Sequence, residues 1–139
     1  MRLCTRVAAE QIGRYGQRSL ISVRIIYIED EPADAQLVQR YVQLTPHEVV
    51  IANDLPSARA ALAEPADLIL IDVLLSRARS GYDFVRQLRS EGFQQPIVAV
   101  TGLSMDSDIQ LCYKAGCTDV LLKPYAIKQL AALLEKYTS

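Results

Sequence analysis

From residue 22 onward the chain alternates, five times over, a short apolar run with a stretch of helical periodicity, and that alternation leaves few folds open. The runs are VRIIYI (23–28), EVVIA (48–52), DLILI (67–71), PIVAV (96–100) and TDVLL (118–122). They are nearly continuous rather than alternating in polarity, as strands covered on both faces are. The first intervening segment opens with Pro32 and stripes Leu37, Val38, Tyr41 and Val42 onto one face. The second follows the capping residues Asn53 and Asp54, with Ala58, Ala61 and Leu62 inward. The third runs from Tyr82 to Ser90 with Phe84, Val85 and Leu88 inward, and stops near Gly92. The fourth follows Ser104, turns Ile109, Cys112 and Ala115 to one side and ends at Gly116. The fifth starts at Pro124 and carries Ile127, Leu130, Ala131 and Leu134. Strand and helix in strict succession imply an α/β fold, a doubly wound five-stranded parallel sheet with helices on both faces.

At 139 residues the chain suffices for one domain with a proper core and is too short for two. Residues 1–21 stand outside the alternating pattern and are expected to form a poorly ordered extension, leaving 22–139 as the domain. The formal net charge of −1 projects no strong field toward nucleic acid or an anionic membrane, although Arg2, Arg6, Arg14 and Arg18 make the first twenty residues basic. No apolar run nears the roughly 20 residues of a membrane span. The charge-broken N-terminus has no signal-peptide core, so a cytoplasmic location is expected. Cys4, Cys112 and Cys117 are an odd count without C-x-x-C spacing, which fits reduced thiols rather than a disulfide framework or zinc site.

In an open parallel sheet, ligands bind beyond the carboxyl ends of the strands, where the winding reverses. There the first strand delivers Glu29 and Asp30, the third Asp72, the fourth Thr101 and the fifth Lys123. Three carboxylates in one cleft repel one another unless a cation is present. Their hard oxygens suit Mg²⁺, which takes one or two carboxylates, waters and a phosphate oxygen. A carboxylate beside that ion can serve as nucleophile toward a phosphoryl group, with lysine and threonine neutralising the equatorial oxygens.

The set IYIEDEP, LILID, VAVTG and LLKPY resembles the receiver domain of two-component response regulators over residues 22–139. The resemblance implies the flavodoxin-like (βα)5 sheet of order 2-1-3-4-5, for which the chemotaxis member of that family is a standard example. It further implies that Glu29 and Asp30 are the metal-binding acidic pair, Asp72 the phosphoacceptor, and the Leu74 carbonyl the backbone ligand completing the metal shell. Thr101 falls on the switch hydroxyl, Lys123 on the phosphoryl-binding lysine, and Lys123-Pro124 on a bond that is usually cis. The function so implied is a stand-alone response regulator, not an enzyme beyond its own phosphorylation and dephosphorylation. It would take phosphate from a sensor histidine kinase or histidine phosphotransfer protein. Nothing after Tyr137 suffices for an output domain, so it would signal to a protein target through the surface of the fourth helix, fifth strand and fifth helix. No nucleic-acid or membrane partner is implied, and homodimer formation stays open.

The chain departs from the family pattern at several places. Ser76 replaces the usual proline four residues after the acceptor, and Gly81 comes one position later than the common glycine. The resulting loop carries Arg77 and Arg79, candidates for recognising a partner or an incoming phosphate. Val120 stands where the family often has a mobile aromatic, so the signal would be relayed by Thr101, the backbone or another residue such as Tyr125. Leu74 and Leu103 flank the site without a group to orient water, which implies slow self-dephosphorylation. His47, the only histidine, reads as a solvent-facing loop residue, so the phosphoryl donor comes from elsewhere. Two rival readings remain: a receiver-like binding scaffold that acts independently of phosphorylation, and a Mg²⁺-dependent phosphate-ester hydrolase. The hydrolase needs a second aspartate where this chain has Leu74. The nucleotide-binding patterns G-x-G-x-x-G and G-x-x-x-x-G-K-[ST] are absent from the sequence.

Overall fold

The computed structural model describes residues 22–139; the basic N-terminal arm and Cys4 lie outside the described residues. Five strands, β1 (Arg24–Ile28), β2 (Glu48–Ala52), β3 (Leu68–Ile71), β4 (Ile97–Thr101) and β5 (Asp119–Leu122), alternate with five α-helices. The helices are α1 (Pro32–Val42), α2 (Leu55–Ala61), α3 (Ser80–Ser90), α4 (Asp106–Ala115) and α5 (Ile127–Thr138), with a 3-10 turn at Leu75–Arg77. All strand pairs are parallel, in the order β2-β1-β3-β4-β5.

Successive side chains of a strand point to opposite faces, and β1 shows the consequence. Ile26 and Ile28, with Ile69, Ile71, Ile97 and Ala99, meet Ala58 of α2, Phe84, Val85 and Leu88 of α3, and Cys112 and Ala115 of α4. Ile25 and Tyr27, with Leu68, Leu70, Val98 and Val100, meet Val38 and Val42 of α1 and Leu130, Leu133 and Leu134 of α5. The three central strands are buried along their whole length, whereas edge strands β2 and β5 are partly open. Each fully buried Ile or Leu contributes about 2 kcal/mol.

At the end of the sheet away from the site, two arginines close loose chain. The buried Arg24 guanidinium donates to the carbonyls of Ala61 (3.0 Å), Glu64 (2.9 Å) and Pro65 (3.4 Å), tying down the chain at and just beyond the end of α2. Arg89 does the same for Phe93, Gln95 and Gly116, at 2.8 to 2.9 Å. Gly116 itself ends α4 at φ 119°, a conformation that suits glycine.

Four local expectations need correction. The helix α5 begins at Ile127, not Pro124, because Lys123–Ala126 forms a turn containing a cis peptide bond, and Gln129 caps the Ala126 N–H. Ile127, the first residue of that helix, faces solvent, while Leu133 joins Leu130 and Leu134 on the inward side. Leu37 is likewise exposed, and Ala35 rather than Leu37 turns inward on α1. His47 is half-buried rather than solvent-facing, its Nδ1 accepting the Val23 N–H at 3.1 Å.

Candidate functional site

The winding of a 2-1-3-4-5 sheet reverses between β1 and β3, so a crevice opens beyond their carboxyl ends. Glu29 follows β1 directly and is buried at 1 % exposure. Its Oε1 accepts from Tyr27 Oη (2.8 Å) and Lys123 Nζ (2.5 Å), and its Oε2 from the Glu31 N–H (3.1 Å). Tyr27 reaches it because residues two apart on a strand share a face. Burial pushes the Glu29 carboxyl up from its ordinary value, and the bonds from Lys123 and Tyr27 pull only part of the way back. Burial beside that carboxylate also drives the Tyr27 phenol far upward, so it stays a donor.

Asp30 is exposed, and its Oδ2 accepts the backbone N–H of Ser76 at 2.6 Å. Asp72, at the end of β3, is buried; Oδ1 accepts the Leu74 N–H (2.9 Å) and Oδ2 the Lys123 ammonium (3.0 Å). Gly81 makes this packing possible, since a Cβ there would stand 2.4 Å from Val73 Cα and 2.9 Å from the Asp72 carbonyl oxygen. Ligand oxygens of Glu29, Asp30 and Asp72 lie within 4.8 Å of one another. Three carboxylates at that spacing fit a hard divalent cation, whose charge would offset their repulsion.

Thr101 closes β4 fully buried, and its Oγ1 accepts the Leu103 N–H at 3.1 Å, which leaves the hydroxyl proton free to donate. Lys123 enters from the end of β5, just before the cis Lys123–Pro124 bond. Its ammonium meets three carboxylates: Glu29 (2.5 Å), Asp34 (2.8 Å) and Asp72 (3.0 Å). Burial would lower its pKa, but the bonds to Asp34, Glu29 and Asp72 outweigh that and hold it above the ordinary lysine value.

The fold thus gathers Glu29, Asp30, Asp72, Thr101 and Lys123 at one end of the sheet, with Leu74 beside Asp72. Asp34 was not among the residues the sequence singled out. Its signal was its place in the first turn of α1, two residues after Pro32, on a helix that springs directly from the acidic pair. The loop arginine Arg79 pairs with Asp108 in the first turn of α4 at 3.1 Å, and the side chain of Arg77 lies outside the described residues. Cys112 and Cys117 are buried free thiols. Val120 is half-buried and packs against the core. Among the described residues no helix is long and apolar enough to cross a membrane.

Comparison with known proteins agrees with this geometry. Residues 25–135 match the family model described as response regulator receiver domain. The chain is 32 % identical over 113 residues to the response regulator MprA of Mycobacterium bovis, covering 81 % of this chain and 49 % of that protein. It is 31 % identical over 120 residues to the sensor histidine kinase GacS of Pseudomonas protegens, covering 83 % of this chain and 13 % of that one. The chain therefore spans half or less of the length of these relatives. Among solved structures, the receiver domain of sensor histidine kinase PA1611 from Pseudomonas aeruginosa, with a magnesium ion coordinated in its active site cleft, superposes with a TM-score of 0.73. That structure is 26 % identical, and the match covers 85 % of this chain and 98 % of that one. With sheet order, acidic cluster and family match in agreement, the chain belongs to the response regulator receiver domains.

Proposed function

We propose that this receiver domain accepts a phosphoryl group on Asp72 in a Mg²⁺-dependent reaction and signals through protein contacts. The observation that carries the reading is the convergence of Glu29, Asp30 and Asp72 within 4.8 Å, with the Lys123 ammonium bonded to Asp72. Glu29, Asp30 and Asp72 would hold the ion, with the Leu74 carbonyl as backbone ligand. The bound ion supplies Lewis-acid neutralisation of phosphoryl oxygens.

The residues of the chain do the rest. One Asp72 carboxylate oxygen attacks phosphorus, forming the O–P bond as the P–N bond of the donor phosphohistidine breaks. The departing imidazole keeps that electron pair and takes up a proton. The Leu74 N–H and Lys123 fix the two Asp72 oxygens, so the nucleophile is aimed before the donor arrives. On transfer, Lys123 and the Thr101 hydroxyl turn their donors to the equatorial oxygens, where charge spreads in the transition state. Thr101 sits between β4 and the Leu103 turn, so its movement toward a phosphoryl oxygen would bias the β4–α4 loop. Leu74 and Leu103 offer no group to orient a water, which favours a long-lived phosphoryl form.

A sensor histidine kinase or histidine phosphotransfer protein would supply the phosphoryl group, and a protein bound at α4, β5 and α5 would read it, in the cytoplasm. Incubation with acetyl phosphate, with and without Mg²⁺, followed by intact mass tests the reading. The expected result is a Mg²⁺-dependent gain of one phosphoryl group that persists for minutes or longer after donor removal and is absent in Asp72→Asn. No gain under any condition would leave a receiver-like binding scaffold.

A further inference from the structure

Lys123 carries three ammonium protons, and each meets a different carboxylate: Glu29 at 2.5 Å, Asp34 at 2.8 Å and Asp72 at 3.0 Å. An ammonium has no donor beyond three, so Asp34 decides how many the reacting aspartate receives. Glu29 is buried and also held by Tyr27 and the Glu31 N–H. Asp34 stands in the first turn of α1, whose inward face is fixed by Ala35, Val38 and Val42. An acid in a first helical turn commonly serves the helix dipole or its free N–H groups. This one instead reaches across to a residue eighty-nine positions away.

We propose, building on the phosphoacceptor reading above, that Asp34 is a positioning residue for Lys123. With Glu29 it fixes the ammonium by two bonds from two rigid supports, β1 and α1, and leaves one donor aimed at Asp72 and at the phosphoryl group formed there. When Asp72 becomes an acyl phosphate, the third donor passes to a phosphoryl oxygen while the other two bonds stay. Without Asp34 the four-carbon stem of Lys123 pivots on Glu29 alone, and the free donor no longer has a set direction.

Two measurements test this. In metal-free protein, NMR of the Lys123 ammonium reports its proton exchange with solvent. Asp34→Ala is expected to speed that exchange about tenfold, the scale set by losing one charge-assisted hydrogen bond, with Asp34→Asn between it and wild type because its amide oxygen still accepts. In acetyl phosphate titrations with Mg²⁺, Asp34→Ala is expected to lower the maximal phosphorylation rate about tenfold while the half-saturating donor concentration holds, and Asp34→Asn to recover part of it. If the half-saturating concentration falls instead and the maximal rate holds, Asp34 merely repels the anionic donor and the positioning role is wrong. An unaltered ammonium signal in Asp34→Ala, or altered exchange with unaltered kinetics, also overturns it while leaving Asp72 as acceptor. A wild type that takes no phosphoryl group at all overturns both readings, since Lys123 then has nothing to be positioned for.

Discussion

The Nδ1 atom of His47 accepts the Val23 N–H at 3.1 Å, a bond that the imidazolium form cannot accept. Partial burial depresses the His47 pKa below its ordinary value. The folded state therefore prefers the neutral ring, and the unfolded chain takes up the proton first as pH falls. Stability from this residue is fully present above the unfolded histidine pKa, near 6.5, and is lost as pH falls through the lower folded value. Thermal unfolding of wild type between pH 7.5 and 5 is expected to show a falling midpoint. In His47→Asn, whose side-chain oxygen can take the same N–H without titrating, the curve should be flatter over that interval; equal slopes would refute the assignment. A lone loop histidine gave no hint of this bond in the sequence, because the partner N–H lies twenty-four residues earlier and only the parallel pairing of β1 with β2 brings it near. Asp34 escaped notice for a related reason. Helical periodicity tells which side chains turn inward, but not which polar one spans to the end of another strand. The strand-end residues Glu29, Asp30, Asp72, Thr101 and Lys123 were legible because a strand end in a parallel sheet has one fixed destination.

At the scale of elements, the apolar runs located each strand to within a residue at either end, since burial on both faces leaves them little else to be. Helix starts were less legible: Asp54 caps α2 as read, accepting the Ser57 N–H at 2.8 Å, whereas α5 begins three residues beyond Pro124. The loop after β3 carries Ser76, one of the departures named above, and its geometry accounts for that residue. Ser76 sits at φ 52° and donates its N–H to Asp30 Oδ2 at 2.6 Å. Proline has neither the N–H nor access to positive φ, so this loop conformation and the family's usual proline exclude each other. Arg79, at the far end of the same loop, anchors it to Asp108 of α4. Ser76→Gly keeps the donor and relieves a left-handed conformation that costs non-glycine residues roughly 1 kcal/mol, partly offset by backbone entropy. It is expected to leave stability unchanged or slightly raised in urea unfolding. Ser76→Pro is expected to lower it by about 2 kcal/mol or more, through the lost bond to a charged acceptor and the forced φ. A Ser76→Pro protein as stable as wild type would show that the loop has a second conformation of equal energy.

Over the whole molecule, the formal charge of −1 conceals an uneven distribution. Folding collects Glu29, Asp30, Asp34 and Asp72 around the single ammonium of Lys123, so the cleft carries a formal −3 when all are ionised. Composition could not show this, because the four carboxylates come from two stretches, 29–34 and 72, that only the pairing of β1 with β3 brings together. Like charges at such spacing oppose the folded state, and a divalent cation bound only by that state stabilises it by RT ln(1 + [L]/Kd). At ten times Kd the gain is about 1.4 kcal/mol, roughly 5 °C in midpoint for a domain of this size. Unfolding followed in EDTA and then in rising Mg²⁺ is expected to show that increase in wild type. Asp30→Asn removes one charge and keeps an oxygen to accept the Ser76 N–H. Its midpoint in EDTA should therefore lie above that of wild type, and its response to Mg²⁺ should be much reduced, so the two curves cross as the cation is added. Parallel curves would mean that Asp30 is not part of the cation site, and a wild type indifferent to Mg²⁺ would mean that the −3 cleft is balanced by Lys123 and solvent alone.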